Sequence, residues 1–334
     1  MRVHLKKLSE QVVVITGATS GIGLATAREA ARRGARLVLV ARNEEDLAEV
    51  AHEIEALGSQ AHWVRADVSD PHAVEGVLDE ALARFGGIDT WVNNAGVSIY
   101  GRLRDVDLVE ARRLFDVNFW GTVHGSRVAL RHLRDRGGAI VNVGSVVSER
   151  VIPLQGIYSA SKHAVKAYTD ALRMELEMDQ VPVSVTLVKP AAIDTPYPEH
   201  ARNHLDVMPQ NAPPVYAPDI VADVICYCAE HPKRDVVVGG AAKVMTLLEK
   251  LAPRVTDKVM GATMERLQRS DRPPRGDDSL FMAPLVEKSE RGVYAGKVRE
   301  RSLYTALALH PGAALGMALG VGLALAGAVL ARSA

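Results

Sequence analysis

Residues 11–23 read QVVVITGATSGIG. The first six are rich in β-branched side chains, which suit a buried strand. Three glycines follow at positions 17, 21 and 23, and an amphipathic stretch then runs to a stop at Gly34. A strand, a glycine-rich turn and a helix in that order make a cradle for a dinucleotide's phosphates. Gly17 permits the tight turn, Gly21 lets backbone approach a pyrophosphate, and Gly23 allows close helix–strand packing. Thr19, Ser20 and Ile22 complete the turn, at a helix start that offers free N–H groups and the positive end of a dipole.

Outward from this turn the pattern repeats. Short apolar runs at 35–41, 61–67, 88–96, 137–145, 181–190 and 234–239 alternate with amphipathic stretches at 44–57, about 107–135, about 156–179 and 218–230. Strands that are apolar throughout, alternating with helices, indicate a parallel sheet covered on both faces. The expected fold is α/β, a doubly wound Rossmann-like sheet of about seven strands occupying 1–240, with a helical C-terminal extension. Residues 241–302 read as one or two amphipathic helices interrupted near Pro253 and an irregular linker, and 303–334 as an apolar C-terminal helix.

Bulk properties exclude several classes. The 334 residues balance 40 Lys+Arg against 40 Asp+Glu, so no global field attracts nucleic acid. The two cysteines, Cys226 and Cys228, are spaced for neither a CxxC redox pair nor a zinc site and read as buried apolar residues. His200 and His204 have helical ligand spacing but no further ligand, so no metal is expected. The N-terminus shows no signal-peptide pattern.

The second strand addresses the choice of nucleotide. An acidic residue at its tip would bind the ribose hydroxyls of NAD. Here the strand ends at Ala41 and Arg42, and a guanidinium suits a 2′-phosphate. NADP(H) is the expected cofactor; Glu44 and Glu45, close behind, keep NAD(H) open.

Residues 158–162 read YSASK. On a helix Tyr158 and Lys162 share a face, and a neighbouring ammonium favours the phenolate, moving tyrosine toward the range a general acid or base needs. Ser145 lies at the C-terminal end of the 137–145 strand, on the sheet edge where ligands bind. The turns TGATSGIG (16–23) and NNAG (93–96) lie at the same edge. A serine, a tyrosine and a lysine can therefore meet in one crevice.

With these residues in view, the chain resembles the short-chain dehydrogenases/reductases. The matches are TGATSGIG (16–23), Asp67–Val68, NNAG (93–96), Asn118 in DVNFWG, Ser145, YSASK (158–162) and PAAIDT (190–195), in order across about residues 10–240. The resemblance implies hydride transfer between nicotinamide and a small-molecule carbonyl or alcohol. It implies that Tyr158 gives or takes the proton and that Ser145 hydrogen-bonds the substrate oxygen. Lys162 would lower the Tyr158 pKa and bind the nicotinamide ribose, with Asn118 holding a water that links Lys162 to solvent. Asp67 would meet the adenine amino group and Val68 would contribute its backbone. Asn94, Ala95 and Gly96 would line the adenosine side, and Pro190, Ile193 and Thr195 the nicotinamide side. One departure is Ala191, where the family usually has glycine after the proline.

Three further readings concern substrate, attachment and class. The long 191–217 loop carries Tyr197, Leu205, Met208 and Tyr216, suited to a bulky or lipid-like substrate. The run GAALGMALGVGLALAGAVLA (312–331) has the length of a bilayer-spanning helix and reads as a membrane anchor leaving the catalytic domain cytoplasmic. The other reading of this run is an apolar helix covering a groove or a subunit interface of a soluble cytoplasmic protein. A homo-oligomer through the 107–135 and 156–179 helices is compatible with the family. The competing class is a nucleotide-binding sensor or scaffold without turnover, which would need no proton donor.

Overall fold

The computed structural model describes residues 3–240, 251–283 and 288–309; the 312–331 run lies outside them. Among the described residues no helix is long and apolar enough to cross a membrane.

Seven parallel strands form the central sheet: β1 (Val12–Thr16), β2 (Arg36–Ala41), β3 (Ala61–Arg65), β4 (Thr90–Asn93), β6 (Gly138–Val143), β7 (Val183–Pro190) and β11 (Asp235–Val238). Their spatial order is β11-β7-β6-β4-β1-β2-β3. Every residue of β1, β4 and β7 is buried, as a sheet covered on both faces requires. The chain leaves β1 toward β2 and β3, then returns to build the other half from β4. The crevice between β1 and β4 is thus the switch point where ligands bind in such sheets.

Helices α1 (Gly21–Arg32), α2 (Glu44–Ala56), α6 (Gly156–Met178) and α7 (Pro218–Glu230) lie close to the expected bounds, and α3 (Pro71–Phe85) links β3 to β4. The stretch expected as one helix at 107–135 departs from regularity. Helix α4 (Leu108–Phe115) passes through a π-helical turn, Asp116–Trp120, into α5 (Gly121–Leu133). The wider turn re-aims side chains locally, and Asn118 within it is fully buried.

The substrate loop and the extension hold the strands the sequence hid. β5 (Ile99–Tyr100) pairs with β9 (Arg202–Asn203). β8 (Ala192–Ile193), β10 (Val215–Tyr216) and β12 (Val298–Arg299) form a small parallel sheet, its third strand supplied by the extension. Two-residue strands carry no periodicity to read.

The extension packs into the α/β core. Helix α8 (Pro253–Leu267) starts at the proline read as an interruption. Leu280 is fully buried in the cluster that holds Trp91 and Ile140, and Leu309, ending α9 (Leu303–Leu309), joins the cluster on the other face. Full burial of one leucine is worth about 1.5–3 kcal/mol. Cys226 and Cys228 are free and buried in α7.

Candidate active site

The phosphate-binding turn owes its shape to glycine. Gly17 and Gly21 have φ of +66° and +52°, a left-handed region that other residues rarely adopt. A Cβ on Gly23 would lie 1.9 Å from the Gly17 carbonyl oxygen and 2.6 Å from Asn94 Nδ2, so α1 seats directly against the turn. Asn94 Nδ2 donates to the Thr16 carbonyl at 2.9 Å, and Thr16 Oγ1 accepts from the backbone of Asn94 and Ala95, both at 3.0 Å. These bonds tie the β4 turn to the β1 turn across the switch point.

At the start of α1 Ser20 makes no side-chain capping bond, whereas Asn43, Asp70 and Asp107 cap α2, α3 and α4. An N-terminus not closed by its own cap fits an anion. The extension reaches the same place: Gly21 N–H donates to the Ser289 carbonyl at 2.8 Å.

At the tip of β2, Arg42 Nη2 donates to the Ser279 carbonyl at 2.6 Å, while Nη1 is buried with no hydrogen-bond partner. Burial and the neighbouring Arg113 depress the Arg42 guanidinium, with Asp67 and Asp278 opposing. A buried donor without a partner is costly.

Asp67 is held in place by protein donors. Ser69 N–H and Oγ donate to Asp67 Oδ1 at 3.0 and 2.7 Å, and the Arg113 guanidinium takes Oδ2. Burial pushes this carboxyl up, but the bonds from Ser69 and Arg113 outweigh it and leave the pKa below the usual carboxylate value. Both carboxylate oxygens are thus occupied by protein donors. Val68 uses its backbone, its carbonyl lying 3.0 Å from His124 Nδ1. Nothing in the sequence marks Arg113.

A cavity of about 310 Å³ opens at the carboxyl ends of β1, β4, β6 and β7. It brings together Gly17, Ser20, Gly21, Ile22, Asn94, Ala95, Gly96, Ser145, Tyr158, Lys162, Pro190, Ile193 and Thr195. Thr19, Gly23, Arg42, Asp67, Val68 and Asn118 are not on its wall. Ala191 is not among the described residues with positive φ, so the alanine fits its loop without strain.

Ser145 and Tyr158 both line the cavity, and the serine hydroxyl acts to lower the Tyr158 pKa. Ser145 is held from behind: its Oγ accepts from Val147 N–H at 3.2 Å, and its N–H donates to Ser148 Oγ at 3.2 Å. Lys162 lies one turn along from Tyr158 on α6, its ammonium 5.7 Å from the Tyr158 ring centre. Its hydrogen bond goes to the Val143 carbonyl at 2.9 Å.

The electrostatics depart from the simple expectation. Burial pushes the Tyr158 phenol up, and hydrogen bonds from Tyr197 and Ser145 only partly offset this, leaving it at about 12. Burial also lowers Lys162 to about 8. The protein alone therefore does not set the lysine against the phenol. Asn118 is likewise fixed by protein: Oδ1 accepts from Val97 N–H at 2.8 Å, and Nδ2 donates to the Val97 carbonyl at 3.0 Å and Ser161 Oγ at 3.1 Å. A Cβ on Gly96 would lie 3.3 Å from Asn118 Oδ1 and 3.7 Å from Lys162 Nζ, so the glycine separates the two.

His204 Nε2 lies 2.6 Å from Glu110 Oε2. Among the described residues no group of three or more His, Cys, Asp or Glu is placed to hold a metal ion.

A seven-stranded parallel sheet with a glycine cradle and a Ser–Tyr–Lys set at its switch point defines the class of a nucleotide-dependent oxidoreductase. A family model described as short chain dehydrogenase matches residues 11–206, and the chain belongs to that family. It is 45% identical over 315 residues to the uncharacterized oxidoreductase YxnA of Bacillus subtilis strain 168, covering 93% of this chain and 88% of YxnA. That alignment is longer than the α/β domain and includes part of the extension. Among solved structures, it resembles a short-chain dehydrogenase/reductase from Burkholderia phymatum in complex with NAD, at 28% identity and a TM-score of 0.64, covering 82% of this chain and 100% of the other. It also resembles an alcohol dehydrogenase from Thermococcus sibiricus complexed with 5-hydroxy-NADP, at 29% identity and a TM-score of 0.61, covering 68% and 95%.

Proposed function

We propose that the chain is an NADP(H)-dependent oxidoreductase acting on a bulky carbonyl or alcohol, with Tyr158 as general acid and base. The observation that carries this reading is the convergence of Ser145, Tyr158 and Lys162 on one cavity continuous with the glycine turn. When bound, the nicotinamide supplies or accepts the hydride at the substrate carbon.

The residues divide the remaining work. Ser145, locked by its two backbone bonds, orients the substrate oxygen. Tyr158 delivers its proton to that oxygen in reduction and takes it back in oxidation. Lys162, within reach of the cavity, would turn its ammonium to the ribose and bring positive charge near the phenol. That charge would lower a phenol which burial alone holds high. Gly17, Ser20, Gly21 and Ile22 would cradle the phosphates, and Ile193 and Thr195 would flank the nicotinamide.

Arg42, with one nitrogen lacking a partner, supports the choice of a 2′-phosphate. The related structures hold nucleotides of both kinds, NAD in one and an NADP derivative in the other. The wall formed by Val97, Val147, Ile152, Tyr100, Tyr197 and Met264 supports a bulky apolar substrate. The 312–331 run would tether this domain to a bilayer; a full chain found only in the soluble fraction of lysed cells would rule that out.

The experiment is to follow NADPH and NADH absorbance with a panel of ketones, aldehydes, quinones and sterols. Turnover of a bulky apolar carbonyl with NADPH supports the reading. Tight nucleotide binding with no turnover of any carbonyl or alcohol would favour a sensor.

A further inference from the structure

The catalytic tyrosine is joined to the C-terminal extension by a buried line of polar side chains. Tyr197, from the 191–217 loop, packs its ring against Tyr158 with centroids 5.4 Å apart and the planes tilted by 60°. The Tyr197 hydroxyl lies 2.6 Å from Ser98 Oγ and 2.9 Å from Gln155 Oε1, and it is near enough to the Tyr158 phenol to hold that phenol's pKa down. Gln155 Nε2 in turn donates to Gln268 Oε1 at 2.7 Å. Gln268, which ends α8, anchors the line by donating to the Pro153 carbonyl at 3.0 Å and the Met264 carbonyl at 3.1 Å. Ser98, Gln155 and Gln268 are 2%, 6% and 1% exposed, so water does not compete for these bonds. Leu154, just before Gln155, has φ +66°, a conformation rare for leucine that persists only where its surroundings enforce it.

Resting on the function proposed above, we propose that Tyr197 is a second hydroxyl of the catalytic centre that stabilises the Tyr158 phenolate. Gln155 and Gln268 are the positioning residues that hold it there. The chemistry follows from Tyr197 having one proton to donate. While Tyr158 is neutral, that proton rests on Gln155 Oε1. Once Tyr158 has given up its proton it becomes the stronger acceptor, since hydrogen bonds to an ionised oxygen are about twice as strong as neutral ones. The Tyr197 O–H then turns from Gln155 Oε1 to the phenolate, while the Ser98 hydroxyl, 2.6 Å away, donates to the Tyr197 oxygen in both states. No proton changes owner along the line; only donors reorient. Gln268 fixes which face of the Gln155 amide meets Tyr197, so a residue of the extension sets the acid strength of a residue on α6.

The test uses the NADP⁺-bound full chain with ¹³Cζ-labelled tyrosine, the Tyr158 resonance being the one lost in Tyr158→Phe. Tyr197→Phe should raise the Tyr158 titration midpoint by about one to two pH units, the loss of one charge-assisted bond. Gln268→Leu should raise it by a smaller amount, and the acid limb of the kcat–pH profile in alcohol oxidation, where protonation of Tyr158 removes the base, should move up with it. Ser98→Ala carries the same test should Tyr197→Phe fail to fold. A midpoint that is the same with and without Tyr197, or absent from both proteins below pH 11, overturns the proposal. Turnover that survives in Tyr158→Phe would instead overturn the function on which it rests.

Discussion

Lys162 donates its hydrogen bond to the Val143 carbonyl at 2.9 Å, not to Tyr158, four residues before it on the same helix. The lysine is 5% exposed, and burial brings its pKa to about 8 from 10.5. Because the folded value lies below the unfolded one, the unfolded chain binds more protons between about pH 8 and 10.5. Stability of the nucleotide-free protein therefore rises with pH across that window, by about 3 kcal/mol from this group. Lys162→Met should remove the rise in urea unfolding at pH 7.5, 9 and 10.5 while lowering turnover at least a hundredfold. A rise that persists in the variant would show that another group causes it.

Arg42 predicts nucleotide preference. If its unpaired nitrogen receives the 2′-phosphate, Arg42→Ala should lower kcat/KM for NADPH by about ten- to a hundredfold, the worth of one charged hydrogen bond. The value for NADH should hardly change. Equal losses with both nucleotides would place Arg42 in structural support through Ser279 alone.

Gly23 has no room for a side chain beside Gly17 and Asn94. Gly23→Ala should cost about 1–3 kcal/mol of stability by overpacking and weaken nucleotide binding, since relief requires α1 to move off the turn. Calorimetry on the apo and nucleotide-titrated protein reads both effects. A variant with unchanged Tm and Kd would contradict the close seating.

Leu280 tests how far the extension belongs to the catalytic fold. The side chain is fully buried beside strands of the main sheet. Leu280→Ala should cost about 2–5 kcal/mol in global unfolding. A small loss confined to a separate, earlier transition would make the extension an independent layer.

These contrasts mark what a chain read alone can convey. The seven strands were legible because each buried run, such as VVVIT at 12–16, carries its environment on both faces. Ser145, Tyr158 and Lys162 were legible because strand ends and helix spacing place them on one edge. The partners of Asp67 and Arg42 were not, since Arg113 and Ser279 come from segments 46 and 237 residues away with no local signal of their own. Gln268 was hidden for the same reason: a glutamine ending an amphipathic helix reads as surface until the helix is seen packed on the substrate loop. The π-helical turn at 116–120 was hidden too, because one inserted residue leaves the helical periodicity of its neighbours intact.

The central claim is that Tyr158 exchanges the proton with the substrate oxygen, and it is tested most directly by comparing Tyr158→Phe with the parent enzyme. The measurement is NADPH oxidation with the best carbonyl from the panel, alongside NADPH affinity by fluorescence. The account predicts kcat lower by about 10²–10⁴-fold with NADPH binding nearly unchanged, because only the hydroxyl is lost. A variant that keeps parental kcat would contradict it.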